Sequence, residues 1–203
     1  SFDNEEFYEM NSGIMLKAQT DWHSDAGKEM YNQNDPEKAK QLLEEAGYNG
    51  EPVTFITSRE YVDFYNSSVV IKEQLEAIGM TVNLELYDWA TVVERRGEPE
   101  AYDAFITGFG ISTDPTQLLF LDSKNEWDGW TNSSEIDRIL DEIRTAASDE
   151  EMKAKNEELQ EEIWNYLPVL KLGDKNTFYA VNKEIDGFKN VLGMLLWNVK
   201  KTE

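Results

Sequence analysis

Short β-rich runs alternate with helical patterns between residues 52 and 107, and this alternation limits the chain to few folds. The runs are Pro52–Thr57, Met80–Leu86 and Ala104–Thr107. Strands joined by helices of this length form right-handed crossovers and lie parallel in one sheet. The pattern predicts the α/β class, with a mixed, mostly parallel sheet flanked by helices.

The predicted helices carry recognisable start and stop signals. Asp35-Pro36 opens the first helix, in which Pro36 takes the first helical position, and Gly47 ends it. A second helix is predicted from about Glu60 to Ile78, and Asp88 caps a short third one. The side chains expected to face inward are Ala39, Leu42, Leu43 and Ala46 in the first helix, Phe64, Ser68, Ile71, Leu75 and Ile78 in the second, and Val82, Leu84 and Leu86 in the middle strand.

The second half of the chain predicts a helical hairpin followed by strands. Ser133 or Ser134 caps the first helix of this hairpin, and Asp149 caps the second. The apolar stripe of the first helix is Ile136, Ile139, Leu140, Ile143 and Ala147, and that of the second is Met152, Leu159, Ile163 and Tyr166. Further strands are predicted at Val169–Leu172, Phe178–Val181 and Leu195–Val199. Residues 1–34 have no clean period and form a poorly defined lead-in.

Composition excludes several classes of protein. The 203 residues suffice for one domain with a real core, and there is no cysteine, so disulfides and thiolate metal sites are excluded. With 41 acidic against 19 basic residues the net charge is −22, which argues against nucleic acid as a partner because phosphates would be repelled. No apolar run approaches membrane-spanning length. The acidic start without Met indicates a mature product or an excised piece rather than a signal peptide.

The candidate site is the loop that follows the third strand. The strand ends at Gly108-Phe109-Gly110, and Asp114-Pro115 then starts a new helix. Open α/β sheets bind ligands at the carboxyl ends of their strands, and glycine lets a ligand backbone approach closely. The carboxyl ends of all three strands supply the candidates: Gly108, Phe109, Gly110, Ile111, Ser112, Thr113, Asp114, Arg59, Tyr61 and Trp89. The alternative is an ordinary strand-to-helix turn, with Tyr61 and Trp89 serving only in packing.

Catalytic chemistry has little support in the sequence. His23 is the one histidine, so a Ser-His-Asp triad would depend on it alone. No glycine-rich phosphate loop follows a strand, and no two histidines stand at metal-ligand spacing. We therefore expect a binding protein rather than an enzyme, with no catalytic residues, no metal and no cofactor.

Several segments, in order, resemble the solute-binding proteins of peptide/nickel ABC importers, which include the oligopeptide- and dipeptide-binding family 5. The resemblance begins at residues 35–48, which are similar to the family pattern DPxKAKxLLxEAGY, and extends to about Val199. It continues at 74–80, 102–105, 113–115, 129–132, 136–140, 167–170 and 185–188.

The resemblance implies that residues 1–203 are a single domain, the C-terminal lobe of a larger two-lobed protein matched over residues 35–199. Such proteins close over a peptide or other small polar solute outside the cell and deliver it to an ABC permease in the membrane. They are lipid-anchored at the cell surface or free in the periplasm. The N-terminal lobe and the lipoprotein signal would lie upstream of this chain.

One position departs from the family pattern. Members that bind dipeptides or oligopeptides carry an Asp about four residues before the loop's proline, where it pairs with the peptide's α-amino group; here that position is Ile111. Peptide remains the expected cargo, and a nickel chelate or an oligosaccharide stays open. A small α/β hydrolase-like enzyme is the rival from another class, and a stand-alone interaction module is a second one.

Overall fold

A three-stranded parallel sheet forms the first half of the molecule. The structure, a computed structural model, describes residues 6–190 and 193–202; part of the lead-in, residues 1–5, lies outside them. The strands are β2 (Pro52–Ser58), β3 (Thr81–Tyr87) and β4 (Ala104–Phe105), in the order β3-β2-β4. β2 pairs with β3 along its whole length, whereas it pairs with β4 only through Phe55↔Ala104 and Ile56↔Phe105. The α/β class is confirmed, and this sheet is wholly parallel.

Helices α1 (Pro36–Glu45), α2 (Val62–Ala77) and α3 (Trp89–Arg95) begin where the sequence predicts. Asp35 and Asp88 accept the backbone N–H groups of Lys38 and Thr91, which confirms both caps. The connections β2–β3 and β3–β4 run in opposite directions along the sheet, so right-handed crossovers place α2 and α3 on opposite faces. Ser68 of α2 donates to the Thr57 hydroxyl of β2 at 3.0 Å, which ties that helix to the central strand.

The second half is a tightly packed helical hairpin. It consists of α4 (Ser134–Thr145) and α5 (Asp149–Tyr166), capped by Ser133 and Ser148 respectively. Asp149 is thus the first helical residue rather than the cap, because Ser148 accepts the Glu151 N–H. The main core of the molecule lies here and comprises Met15, Leu118, Phe120, Leu121, Ile136, Ile139, Leu140, Ile143, Leu159 and Ile163.

The lead-in, which has no readable period, is part of this core. Met15 is buried among the hairpin residues, and Asn11, 1% exposed, donates to the Asp174 carboxylate at 2.6 Å. Strand β1 (Tyr8–Glu9) pairs antiparallel with β5 (Asp174–Lys175). The lead-in is therefore held by residues that are far from it in sequence, in the hairpin core and at Asp174.

The predicted C-terminal strands are wrong in position. Val169–Leu172 and Phe178–Val181 are irregular, and of Leu195–Val199 only Leu195 is in a strand. The regular pieces are β6 (Ile185–Asp186), β7 (Lys189–Asn190), β8 (Met194–Leu195) and β9 (Lys200–Lys201), paired β6–β9 and β7–β8. β-branched and aromatic residues favour a strand only where a neighbouring strand and a surface to pack on are present, and the described chain provides neither for these runs.

Several predicted inward positions are also exposed. Leu42 of α1 is 54% exposed and α1 buries no residue among those described, while Leu86, Ala147 and Tyr166 are exposed as well. A helical period marks one apolar face but does not supply the surface that covers it. Short 3₁₀ helices complete the fold at Lys28–Met30, Pro99–Ala101, Pro115–Gln117 and Ser123–Asn125. Among the described helices, none is long and apolar enough to cross a membrane.

Candidate functional site

The carboxyl ends of β2 and β3 meet in an aromatic cluster. The ring centroids of Tyr61 and Trp89 lie 4.9 Å apart, and Phe64 lies 5.2 Å from Tyr61 and 5.7 Å from Trp89. We call these three residues the aromatic wall. Trp89 reaches it because Asp88 starts α3 directly after β3, and Tyr61 because it immediately precedes α2. Sequence reasoning placed Phe64 on the buried stripe of α2 and missed it as a site residue.

The loop after β4 offers an unpaired backbone. From Thr107 to Ile111 the backbone N–H and C=O groups have no hydrogen-bond partner within residues 6–190 and 193–202. We call this segment the open loop; Gly108 through Ile111 are exposed. β4 is an edge strand that ends at Phe105, and the open loop follows it two residues later. Unpaired backbone groups at a sheet edge can serve as a template for another strand.

Neither glycine of the open loop is required by the described fold. The φ angles of Gly108 and Gly110 both lie outside the left-handed region. A Cβ at Gly110 would meet nothing within 4 Å, and one at Gly108 would lie 3.5 Å from the Phe64 ring, an ordinary contact. By contrast, Gly47 and Gly79 have φ angles of +72° and +104° and stop helices. A glycine with neither strain nor crowding leaves space for a molecule outside the described chain.

Phe109 is the anchored residue of the open loop. Its ring lies 4.7 Å from that of Phe120 and 5.1 Å from that of Trp127, although 44% of the residue stays exposed. The Arg96 guanidinium lies 5.3 Å from the Trp127 ring, and its Nε lies 2.6 Å from the Asp128 carboxylate. Neither Arg96 nor Trp127 was predicted as a site residue; the only sequence signal was the clustering of Trp127 and Trp130 in a polar loop.

The polar residues at the C-terminal end of the predicted site make hydrogen bonds with their neighbours. Asp114 accepts hydrogen bonds from the Thr116 backbone N–H at 2.9 Å and from the Thr116 and Thr113 hydroxyls at 2.6 and 3.1 Å. The predicted helix start at Asp114-Pro115 is confirmed as a single 3₁₀ turn. Gln19 donates to the Ser112 carbonyl at 2.7 Å, which fixes the outgoing end of the loop.

Arg59 stands apart from the aromatic wall. Its guanidinium lies 4.9 Å from the Tyr65 ring and donates to the Tyr65 hydroxyl at 3.3 Å. Ile111 is 59% exposed at the tip of the open loop. The structure therefore gathers Tyr61, Trp89 and Gly108 around Phe64, whereas Arg59 contacts a different face of α2.

Nearby ionisable groups are held by specific partners. Burial would raise the pKa of Asp63, but the ion pair with Lys175, at 2.5 Å, outweighs it and lowers that pKa. The Thr91 hydroxyl and backbone N–H lower the pKa of Asp88. Burial, with the nearby Asp128 carboxylate, raises the pKa of Tyr102 to about 12, so its hydroxyl stays protonated and donates to the Arg96 carbonyl at 2.7 Å.

The described residues assemble no metal cluster, and His23 belongs to a structural network. Within the described ranges, no group of three or more His, Asp or Glu side chains is placed to hold a metal ion. His23 Nε2 lies 3.1 Å from the Asn11 amide oxygen. Since that oxygen also accepts the Gly13 N–H, His23 serves as a donor in a structural network.

Comparison with known proteins identifies the family of the chain. Residues 9–129 match the model for bacterial extracellular solute-binding proteins, family 5, middle region. The chain belongs to this family, whose members are extracellular transport proteins that bind solutes.

Individual relatives and structures agree with this assignment. The probable peptide ABC transporter periplasmic-binding protein y4tO of Sinorhizobium fredii is 31% identical over 176 residues, 82% of this chain and 33% of the relative. The oligopeptide-binding protein AppA of Bacillus subtilis is 26% identical over 195 residues, 87% of this chain and 35% of the relative.

The structure of AppA in complex with a nonapeptide covers 98% of this chain and 44% of that chain, with a TM-score of 0.81 at 20% identity. The structure of AgaA from A. tumefaciens R10 in complex with agropinic acid gives a TM-score of 0.78 at 25% identity over 98% of this chain and 43% of that one. The chain spans about a third of the length of the curated relatives it matches.

Proposed function

We propose that this chain is one lobe of an extracytoplasmic solute-binding protein and that its cargo is an extended peptide bound along the open loop. The unpaired backbone from Thr107 to Ile111 carries this proposal. A peptide in extended conformation would pair with these N–H and C=O groups as an added strand. The relatives named for peptide and oligopeptide binding support this cargo class.

The aromatic wall and the glycines complete the argument for a peptide. Open space at Gly110 admits a ligand backbone, and Tyr61, 44% exposed, offers an aromatic face for side chains. Aromatic surfaces accept many side chains without demanding one in particular. The proposed contact residues are Gly108, Phe109, Gly110, Ile111, Ser112, Thr113, Tyr61 and Trp89; Asp114 supports the loop, and Arg59 lies at its rim.

A second lobe is part of the proposal. Large apolar side chains are exposed along the C-terminal part of the chain: Leu167, Leu170, Phe178, Tyr179, Met194, Leu196 and Trp197. Exposed apolar surface of this extent marks an interaction site. We assign it to the remaining two-thirds of the protein, which would form the N-terminal lobe, close over the cargo by a hinge and present it to an ABC permease.

Binding rather than catalysis is proposed because the site offers unpaired backbone groups and the family is one of solute-binding proteins. A nickel chelate or an oligosaccharide remains an alternative cargo, and the agropinic acid bound by AgaA shows that a related fold accepts a non-peptide. We also propose an extracytoplasmic location for the full-length protein, either in the periplasm, as the name of the relative y4tO supports, or lipid-anchored at the cell surface.

The test is a binding screen of the full-length protein against short peptides, nickel chelates and oligosaccharides. Ligands that bind the native state raise the melting temperature by mass action. We expect a rise with peptides of four or more residues that Gly110→Val abolishes. Binding of another class alone would replace the cargo assignment, and hydrolysis of a model ester or glycoside would overturn the transport role.

A further inference from the structure

The open loop has few constraints, yet its central side chain is fixed. An exposed segment without backbone hydrogen bonds would sample many conformations, and ordering it on binding costs affinity. In this chain, Phe109 at the middle of the segment packs its ring against both Phe120 and Trp127. The flanking residues Gly108 and Gly110 make no such contact beyond the nearby Phe64 ring.

We infer that Arg96, Asp128 and Trp127 form a loop clamp that holds Phe109 and so preorganises the open loop for its ligand. This inference rests on the proposed function, and it assigns positioning roles to three residues that lie outside the loop. The clamp would set how much of the loop is already in the binding conformation before the ligand arrives.

Arg96 can orient Trp127 through two contacts, one with the Trp127 ring and one with the adjacent residue Asp128. Its guanidinium stacks 5.3 Å from the Trp127 ring centroid, and its Nε lies 2.6 Å from the carboxylate of the next residue, Asp128. The same guanidinium lies 6.0 Å from the Phe105 ring, at the end of β4. Planar arginine can stack on a ring and pair with a carboxylate at once, which lysine cannot reproduce.

The burial of the pair makes this arrangement persistent. The Arg96 and Asp128 side chains are 19% and 24% exposed, so solvent screens their attraction less than that of a surface pair. The Arg96 backbone is fixed as well, because its N–H closes the last turn of α3 and its carbonyl accepts the Tyr102 hydroxyl. Helix α3 begins with Trp89 of the aromatic wall, so one short helix links both sides of the site.

The experiment measures peptide binding and loop exposure in the full-length protein carrying Arg96→Gln, Arg96→Lys or Asp128→Asn. Binding of one peptide from the screen is followed by calorimetry. Exposure of the loop is followed separately, without ligand, as the rate of chymotrypsin cleavage after Phe109, because the protease must pull the ring out of its contacts.

For Arg96→Gln we expect about tenfold weaker peptide binding, because the ligand must then order the loop side chains that the clamp no longer holds. Cleavage after Phe109 should become faster by a similar factor. Arg96→Lys should resemble Arg96→Gln, because the role depends on stacking and not on charge alone. The matched control is Arg138→Gln, which removes an arginine paired with Glu135, Glu142 and Glu158 on the hairpin; it should change neither measurement.

Two results would overturn the clamp. One is wild-type affinity and wild-type cleavage in both Arg96 variants. The other is a loss of affinity only for peptides with a free C-terminal carboxylate and not for their amides, which would make Arg96 a direct ligand contact. If the wild-type protein binds no peptide, the proposed function fails, and the cleavage rates alone decide the clamp.

Discussion

The open loop and the helical hairpin differ in how many of their polar groups have partners within the protein. In the hairpin, Ser133 and Ser148 cap both helices, and Arg138 and Lys155 pair with Glu142 and Glu158 across α4 and α5. In the open loop, the backbone from Thr107 to Ile111 has no partner among the described residues. Exposed backbone groups can pair with water, so the open loop keeps its N–H and C=O groups accessible, as the proposed function requires.

Their apolar contacts differ in the same sense. The hairpin buries Leu140 and Leu159 completely, while Phe109 is held by two rings and remains 44% exposed. The hairpin therefore contributes stability without presenting a surface, and the open loop presents a surface at little gain in stability. The two regions should respond oppositely to mutation.

The largest effect should come from Leu140→Ala. The side chain is fully buried, so the change should lower the free energy of unfolding by roughly 2–5 kcal/mol through the cavity it leaves. Denaturant unfolding of the full-length protein measures this. Val70→Ala, at a residue 51% exposed on α2, is the control and should cost less than about 0.5 kcal/mol. Peptide affinity of the folded Leu140→Ala protein should be unchanged.

Gly110→Val should show the reverse pattern. A side chain here meets nothing in the described fold, so the melting temperature should not fall, but the valine would occupy the space proposed for the ligand backbone. We expect affinity to drop on the order of 100-fold, about 2.7 kcal/mol. Normal peptide binding by a folded Gly110→Val protein would show that the ligand lies elsewhere.

Ser133→Ala tests how much the N-terminal cap of α4 contributes to the stability of the protein. It removes the acceptor of the Ile136 N–H at the start of α4 and should cost about 1 kcal/mol of stability. Ser134→Ala changes the neighbouring, exposed residue, which caps nothing, and should be close to neutral. Equal effects of the two variants would contradict the assignment of the cap to Ser133.

The smallest effect should be the pH dependence of the Asp63–Lys175 ion pair. Because this pair lowers the pKa of Asp63 in the folded protein, its stabilisation is present above the ordinary value of 3.8 and is lost as the pH falls through the lowered pKa. Asp63→Asn should cost less than about 1 kcal/mol at neutral pH, and this difference from wild type should shrink below pH ~4.

Unfolding curves at pH 7 and at low pH measure the difference. Glu73→Gln on the same helix is the control, because Glu73 is exposed and has no ion pair among the described residues. A pH-independent cost for Asp63→Asn would assign its effect to packing instead.

Local signals in the sequence predicted the elements that depend on neighbouring residues. The caps at Asp35 and Asp88, the stop at Gly79 and the stripe of α4 follow from propensity and period, and the structure has all of them. The end of the third predicted strand and the helix start at Asp114-Pro115 located the open loop, and the family that the sequence resembles is confirmed. Its assignment as the ligand site remains a prediction.

Contacts between distant residues could not be read from the sequence. The lead-in carries no period because Asn11 and Met15 are fixed by Asp174 and the hairpin core rather than by their neighbours. The C-terminal runs look like strands, yet a strand forms only where a partner edge exists. Arg96 and Trp127 meet only because the end of α3 and the segment after the 3₁₀ helix Ser123–Asn125 converge.

The sequence by itself therefore determined the α/β order of elements and the helix ends, since these depend on residues within a turn or two of each other. It also determined the family, since this depends on the order of motifs along the chain. Tertiary structure alone decided which apolar faces are covered, how Phe109 is anchored and which backbone groups remain unpaired. Those outcomes depend on what each surface meets in space, and local patterning does not encode that information.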